Sequence, residues 1–352
     1  MNTRVLIVDD SATMRAILSR LLGSEPDIEV IGTAKDAMEA RGMIRELNPD
    51  VVTLDIEMPG MNGLDFLEKI MQLRPMPVVV VSGITRKGAD TTIRALELGA
   101  VDCYAKPDGS VNAMLESDGG TLASMVREAA RVRFVRVASK PAVPVSPVAQ
   151  QTIVASRSTS AITKLIAIGA STGGVEALHH LLPAFPTTCP PTVIVQHISA
   201  AFAPAMAERL DRQCSATVKL IESGEVLKPG HIYIAPGNDK HAIVGGGTET
   251  LIAKMIEGDK VSGHRPSIDA MFESVAQKLG PAAIGILLTG MGQDGARGLL
   301  AMRRAGGRTI AQDEATSTVY GMPRAAADMG AAENILPLPR IAERALSAAG
   351  LQ

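Results

Sequence analysis

The fold of the second half of this 352-residue chain is decided by the segment KLIAIGASTGGVEAL, residues 164–178. Its apolar run ends in small residues and continues with helical spacing, which predicts a strand, a tight turn and a helix. The turn, from Gly169 to Gly173, matches the G-x-S-x-G pattern that exposes a serine hydroxyl at a strand-to-helix corner. Alone, this pattern indicates an ordinary glycine-rich turn more often than a nucleophile, so the role of Ser171 depends on the residues around it.

The composition is that of a globular protein, with 46% hydrophobic and 20% charged residues, and the length predicts two or three domains. A formal net charge of -2 provides no basic surface for nucleic acid, and 2% aromatic residues provide few platforms for stacked bases. We therefore expect no nucleic-acid partner.

The cysteines and the N-terminal sequence indicate the compartment. Cys103, Cys189 and Cys214 are odd in number and far apart, which fits reduced thiols rather than a disulfide framework or a zinc site. The first ten residues lack the features of a signal peptide, and no apolar run approaches the roughly 20 residues that span a bilayer. We expect a cytoplasmic protein without membrane insertion.

The first 134 residues alternate between strand-like runs and helical patterns, which predicts a doubly wound parallel sheet. The strand candidates are Val5–Val8, Glu29–Gly32, Val51–Leu54, Pro77–Val81 and Val101–Tyr104. A helical pattern through Arg136 is followed by a stretch rich in proline and serine, which predicts an interdomain linker at 138–162.

The alternation resumes after the linker and predicts a second α/β domain. Its strand candidates are Leu165–Gly169, Thr192–Val195, Ile232–Ala235, Ala283–Leu288 and Thr309–Ala311, and its helix candidates are 174–182, 202–212, 268–279 and 295–305.

Polar side chains follow the strands of the first domain. Asp9 and Asp10 follow the first strand, Asp55 the third, Ser82 the fourth and Lys106 the fifth. The carboxyl ends of parallel strands share one edge, where three carboxylates would repel one another unless a divalent cation such as Mg²⁺ bound them. Any one of these residues fits a solvated loop, but five on one edge predict a phosphoryl-transfer site in which Asp55 is the nucleophile.

These five residues, together with the segment DIEMPGMNG at 55–63 and Pro107, resemble the receiver domain of two-component response regulators over residues 1 to about 125. The resemblance implies a flavodoxin-like fold, phosphorylation of Asp55 by a partner histidine kinase, and Mg²⁺ bound by Asp9, Asp10 and Asp55. It also implies that Ser82 and Lys106 transmit the phosphorylated state. Cys103 departs from the pattern, because the family usually has an aromatic switch residue three positions before the lysine.

Three residues at strand ends of the second domain could form a nucleophilic site. Ser171 follows its first strand, His197 its second, and Asp294 lies in a glycine-rich turn after a strongly apolar strand. A serine needs a base to remove its proton, and an imidazole needs a carboxylate to fix its tautomer. Two alternatives stay open. Asp294 could be a helix N-cap, and either His241 or His264, both predicted to lie in loops, could be the base, with His241 the first rival to test.

Six segments of the second domain, over about 163–347, resemble the catalytic domain of chemotaxis protein-glutamate methylesterases. They are GASTGG (169–174), VQH (195–197), YIAPG (233–237), HRPSID (264–269), LTGMGQDG (288–295) and VYGMPR (319–324). The resemblance implies a mostly parallel, Rossmann-like fold and hydrolysis of glutamyl methyl esters on chemoreceptors, with glutamine deamidation in many members. It assigns Ser171, His197 and Asp294 to a triad and the Met291 N–H to an oxyanion hole, with no cofactor for the esterase chemistry.

The expected organisation is a receiver at 1–125, a helical extension and linker at 126–162, and a methylesterase domain at 163–352. The resemblance also suggests that the unphosphorylated receiver blocks the active site. Two alternatives place a DNA-binding module or a dinucleotide-binding domain after the receiver. A DNA-binding module would be short and basic, and the glycines at 169, 173 and 174 do not follow the dinucleotide pattern G-x-G-x-x-G.

Overall fold

The structure is a computed structural model that describes residues 2–58, 62–83, 85–106, 118–132, 164–247 and 250–351. The predicted linker at 138–162, the helical pattern between 133 and 136, Pro107 and part of the 55–63 segment lie outside these residues.

The first domain is a five-stranded parallel sheet with the strand order β2-β1-β3-β4-β5, which confirms the predicted flavodoxin-like fold. Its elements are β1 Thr3–Val8, α1 Ala12–Gly23, β2 Ile28–Ala34, α2 Ala37–Leu47, β3 Val51–Asp55, α3 Gly63–Leu73, β4 Val78–Ser82, α4 Arg86–Glu97, β5 Asp102–Ala105 and α5 Thr121–Ala129.

The sequence explains where these elements form. Every residue of β3 and β4 is buried, as expected for central parallel strands that are covered by helices on both faces. Helices α1 to α4 each begin after a side chain that accepts a hydrogen bond from an N–H group of the first turn. These N-caps are Ser11, Asp36, Asn62 and Thr85.

The second domain is a seven-stranded parallel sheet with the order β14-β13-β12-β6-β7-β9-β8, beside a separate antiparallel hairpin, β10-β11. Its elements are β6 Leu165–Ala170, α6 Gly174–Leu181, β7 Thr192–Gln196, α7 Ala203–Gln213, β8 Thr217–Leu220, β9 His231–Ile234, β10 His241–Gly246, β11 Leu251–Ile256, α8 Ile268–Leu279, β12 Ala283–Leu287, α9 Ala296–Arg304, β13 Arg308–Gln312, α10 Met322–Asp328, β14 Asn334–Leu336 and α11 Leu338–Ala349. The strand order reverses between β6 and β12, and ligands of such sheets bind at the carboxyl ends of strands at this switch point.

All ten predicted strands and the four helices predicted for the second domain are present, with bounds that shift by a few residues. The sequence did not predict β8, the β10-β11 hairpin, β14, α10 or α11. The assignment of His241 to a loop was wrong, because this residue begins β10 and pairs with Ile256 across the hairpin. β8 and β14 are short strands at the two edges of the sheet, where few buried apolar residues mark the pattern.

The two domains pack against each other through α4, which contacts α6 and α7. At the end of α4, the carboxylate of Glu97 forms an ion pair with Arg209 on α7, and its Oε1 lies 2.9 Å from Nε2 of His179 on α6. A second pair, Arg86 with Glu208 at 3.5 Å, is largely exposed. No helix of the described segments has the length and hydrophobicity needed to cross a bilayer.

Candidate active site and phosphoacceptor site

The predicted acidic cluster forms at the carboxyl edge of the first sheet. Carboxylate oxygens of Asp9, Asp10 and Asp55 all lie within 4.8 Å of one another. Lys106 Nζ lies 2.6 Å from Asp55 Oδ2 and 3.0 Å from Asp9 Oδ2. Burial raises the pKa of Asp9, although the positive charge of Lys106 acts in the opposite direction. Three oxygen ligands, one of them on a carboxylate that burial destabilises, fit a hard divalent cation such as Mg²⁺.

Ser82 and the strand β5 lie beside this cluster and have different surroundings. The Ser82 hydroxyl lies 3.4 Å from the carbonyl oxygens of Gly83 and Gly88, at the start of α4.

Cys103 and Tyr104 are neighbours on β5 and therefore point to opposite faces of the sheet. Tyr104 packs into the core beneath α1 and α5, whereas Cys103 lines the cleft between the domains together with Ser171 and His197. The residue at the usual switch position thus lies directly at the domain interface.

Ser171 occupies the predicted corner between β6 and α6. Its N–H donates to the carbonyl oxygen of Thr289 at 3.0 Å, and its own carbonyl oxygen accepts from Gln196 Nε2 at 2.9 Å. Gly173 has a φ of 74°, and a Cβ there would lie 2.4 Å from Cβ of Thr318. A side chain at position 173 would therefore both strain the backbone and displace the facing loop, so the glycine is needed for the turn.

His197 and Asp294 are joined as the sequence predicts. Nε2 of His197 lies 2.9 Å from Oδ2 of Asp294. A carboxylate only accepts hydrogen bonds, so Nε2 carries the proton and Nδ1 presents its lone pair. Nδ1 is buried, has no hydrogen-bond partner among the described residues, and belongs to a side chain that lines the same pocket as Ser171. His197 thus has a free basic nitrogen in the pocket that contains the serine.

Asp294 is fixed by donors that the sequence did not reveal. Its Oδ1 accepts from Ser267 Oγ at 2.7 Å and from Asp269 N at 3.0 Å, and its Oδ2 accepts from Ile268 N at 2.8 Å. Burial acts to raise the pKa of Asp294, but the hydrogen bond and charge of His197 and the two backbone donors hold that pKa below its usual range. Asp294 therefore binds the N-terminus of α8, whereas the N-cap of its own following helix, α9, is Gly295.

His241, the rival base, has both ring nitrogens occupied. Its Nδ1 accepts from Ser267 N at 3.2 Å, so Nε2 carries the proton and donates to the carbonyl oxygen of Asp259 at 2.8 Å. The ring is 3% exposed and connects β10 to the segment before α8. This geometry supports His197, and not His241, as the base.

The peptide N–H of Met291 is free to bind an oxyanion. Within the described part of the chain, this N–H donates no hydrogen bond. The N–H of Thr172, the residue after the serine, donates none either. A Cβ at Gly290 would lie 2.6 Å from Cβ of Ser171, so the turn before Met291 closely approaches the serine. Donors at these two places match the usual construction of an oxyanion hole.

Comparison with known proteins agrees with this arrangement. Residues 166–345 match the family model described as CheB methylesterase, and residues 5–116 match the response regulator receiver domain family. The chain belongs to the CheB methylesterase family.

The similarity extends over nearly the whole chain. A protein-glutamate methylesterase/protein-glutamine glutaminase 1 of Caulobacter vibrioides is 52% identical over 349 residues, 98% of each chain. A protein-glutamate methylesterase/protein-glutamine glutaminase of Rhizobium etli is 51% identical, with 97% of this chain and 95% of that protein covered. The crystal structure of the Thermotoga maritima CheB methylesterase catalytic domain is 37% identical with a TM-score of 0.51, and covers 52% of this chain and 97% of that one. These matches give no support to a DNA-binding or dinucleotide-binding second domain.

In this CheB family member, the first domain contacts the second beside the serine. Glu128, on α5, places Oε2 3.4 Å from the Thr172 hydroxyl, and the Arg131 guanidinium lies 3.9 Å from the Met291 sulfur. Burial raises the pKa of Glu128, while hydrogen bonds from Thr172 and Ser124 oppose that shift. The last receiver helix and the turn after it therefore contact residues on both sides of Ser171.

Burial of a carboxyl group in the cleft predicts that docking of the two domains depends on pH. Asp102 lines the cleft, and burial raises its pKa from 3.8 to about 7. Where the catalytic domain contributes to this burial, Asp102 takes up a proton on docking, so docking should weaken as the pH rises through about 7. We expect energy transfer between labels at the exposed positions Met38 and Met329 to fall between pH 5.5 and pH 8. The Asp102→Asn protein should lose most of this change, and an unaltered pH response there would contradict the assignment.

Proposed function

We propose that this chain hydrolyses glutamyl methyl esters, and deamidates glutamines, on the cytoplasmic helices of chemoreceptors. The observation that carries the proposal is the hydrogen bond from His197 Nε2 to Asp294, which leaves Nδ1 of the imidazole without a partner in the pocket of Ser171. The relatives named as protein-glutamate methylesterases support the choice of substrate.

The geometry suggests a specific sequence of bond changes. Nδ1 of His197 removes the Ser171 proton as Oγ attacks the side-chain carbonyl carbon of the substrate. The oxyanion that forms binds the N–H of Met291. Nδ1 then protonates the leaving oxygen, methanol departs, and an acyl-enzyme remains. Water attacks this ester and gives a proton to Nδ1, which passes it to Ser171 Oγ as the acyl C–O bond breaks, so that a glutamate side chain and the serine hydroxyl are released. With glutamine as substrate, ammonia is the leaving group.

The receiver provides the control. A histidine kinase would transfer a phosphoryl group to Asp55, and Mg²⁺ bound by Asp9, Asp10 and Asp55 would neutralise charge during the transfer. In the structure Lys106 is bound to two of these carboxylates. A phosphoryl group on Asp55 would compete for the ammonium of Lys106, and the hydroxyl of Ser82 would donate to an oxygen of that group.

Closure of the site by the receiver is the regulatory step. Because Glu128 and Arg131 contact Thr172 and Met291, we expect α5 to move away before a glutamyl side chain of a receptor reaches Ser171. Phosphorylation of Asp55 would weaken the contact of α4 and β5 with the catalytic domain and thereby open the site.

Methanol release from methylated receptor membranes tests the catalytic assignment. We expect Ser171→Ala and His197→Ala each to lower the rate by at least about a thousandfold, because the nucleophile and base act as a unit. His241→Ala should reduce stability more than it reduces the rate per folded molecule, and Ser347→Ala, on α11, should match the wild type. Full activity of Ser171→Ala would overturn the proposed function.

Asp55→Asn tests phosphorylation as the trigger. This protein should retain basal esterase activity but lose the rise that a small phosphodonor with Mg²⁺ produces in the wild type. Asp65→Asn, on the exposed face of α3, serves as the matched control and should respond normally. An undiminished response of Asp55→Asn would show that activation does not pass through this carboxylate.

The ion pair between Glu97 and Arg209 should hold the closed state. Glu97→Lys and Arg209→Glu should each raise basal methanol release without phosphodonor, because like charges then oppose each other at a partly buried contact. The double variant should return towards the low basal rate. Glu208→Lys breaks the exposed pair with Arg86 and should change the rate little, since exposed pairs contribute little. Equal rates in all four proteins would exclude this pair from the closed state.

A further inference from the structure

A second histidine lies against His197. The ring of His264 stacks face to face on the ring of His197, with 3.8 Å between centroids and 8° between planes. Neither ring nitrogen of His264 forms a hydrogen bond within the described residues, so it is the face of this ring, and not a polar atom, that meets His197. The two rings therefore interact through van der Waals and electrostatic forces, and they exchange no proton.

His264 is held on a rigid support. Val261 and His264 exchange two backbone hydrogen bonds, of 3.1 and 3.0 Å, around Ser262 and Gly263, which both have positive φ. This closes a tight two-residue turn. The Ser262 hydroxyl donates to Asp269 Oδ2 at 2.8 Å, which ties the turn to the first residues of α8. The same short segment thus presents His264 to one side of His197 and the donors of Asp294 to the other.

The hydrogen bond to Asp294 does not by itself fix the orientation of the His197 ring. A hydrogen bond from Nε2 to Asp294 fixes that nitrogen, but it permits the ring to tilt about the bond, and a tilt would swing Nδ1 away from Ser171. A flat neighbour against the ring face removes this tilt, because planar rings in contact resist rotation out of the shared plane. Accurate placement of a reacting group is worth as much as about a hundredfold in rate.

We propose that His264 is a positioning residue of the esterase, whose stacked ring holds the imidazole of His197 with Nδ1 directed at Ser171. This inference rests on the proposed function. The stacked ring also has to stay uncharged while His197 takes up the serine proton. Burial, and to a smaller extent the nearby His197, lower the pKa of His264 to about 4, which meets that requirement at neutral pH.

Three substitutions at one position separate planarity from volume and from imidazole chemistry. His264→Phe keeps a flat ring, His264→Leu fills space without one, and His264→Ala removes the side chain. In methanol release from methylated receptor membranes, we expect kcat to fall about tenfold to a hundredfold in the Leu and Ala variants, with little change in KM. The Phe variant should stay within about threefold of the wild type if a planar face is what matters. His231→Ala, which removes another stacked histidine on β9, is the control and should leave kcat unchanged.

Proton NMR of the unliganded enzyme supplies a readout that does not require activity. The Nε2 proton shared with Asp294 should give a resolved downfield signal in the wild type and in His264→Phe, and should broaden or vanish in His264→Leu and His264→Ala. His197→Ala identifies the signal. A Leu variant with normal kcat and a normal signal would overturn the proposal. A Phe variant as slow as Ala would also overturn it, because the imidazole would then act chemically. If the wild type releases no methanol, the proposed function fails, while the NMR comparison still tests the stack.

Discussion

The carboxylate of Asp294 is the point on which the catalytic domain depends. Its two oxygens accept four hydrogen bonds, two from backbone N–H groups at the start of α8, one from Ser267 and one from His197. These donors come from two parts of the chain, so one buried charge in the loop after β12 joins the N-terminus of α8 to the end of β7. The position and tautomer of the base follow from this one interaction.

The same property of parallel sheets positions the residues of both sites. Side chains that follow successive strands meet at one edge, which brings Asp9 and Asp55 to Lys106 in the receiver and Ser171 to His197 and Asp294 in the second domain. In the second domain this edge lies where the strand order reverses, between β6 and β12. The strand ends thus position the side chains of both sites, and the loops need only make short turns.

This constraint also explains how much the sequence could predict. Residues directly after buried strands were predictable, because hydrophobic runs locate strand ends and topology brings the ends together. The contacts of Ser267 with Asp294 and of His264 with His197 were not, since both residues lie in an irregular segment whose path depends on a two-residue turn and on the burial of His241. The edge strands β8 and β14 were missed because short, half-exposed strands show little periodicity. The contact of Glu128 with Thr172 depends on how two domains dock, which no local pattern encodes.

The position of Glu128 has a consequence for the closed state. Ester hydrolysis by this family converts a neutral glutamyl ester into a glutamate, whose side chain ends in a carboxylate beside Ser171. Glu128 carries the same side chain, and its carboxylate is already 3.4 Å from the Thr172 hydroxyl at the mouth of the site. The closed structure therefore presents, beside the residue that follows Ser171, the same functional group that ester hydrolysis produces.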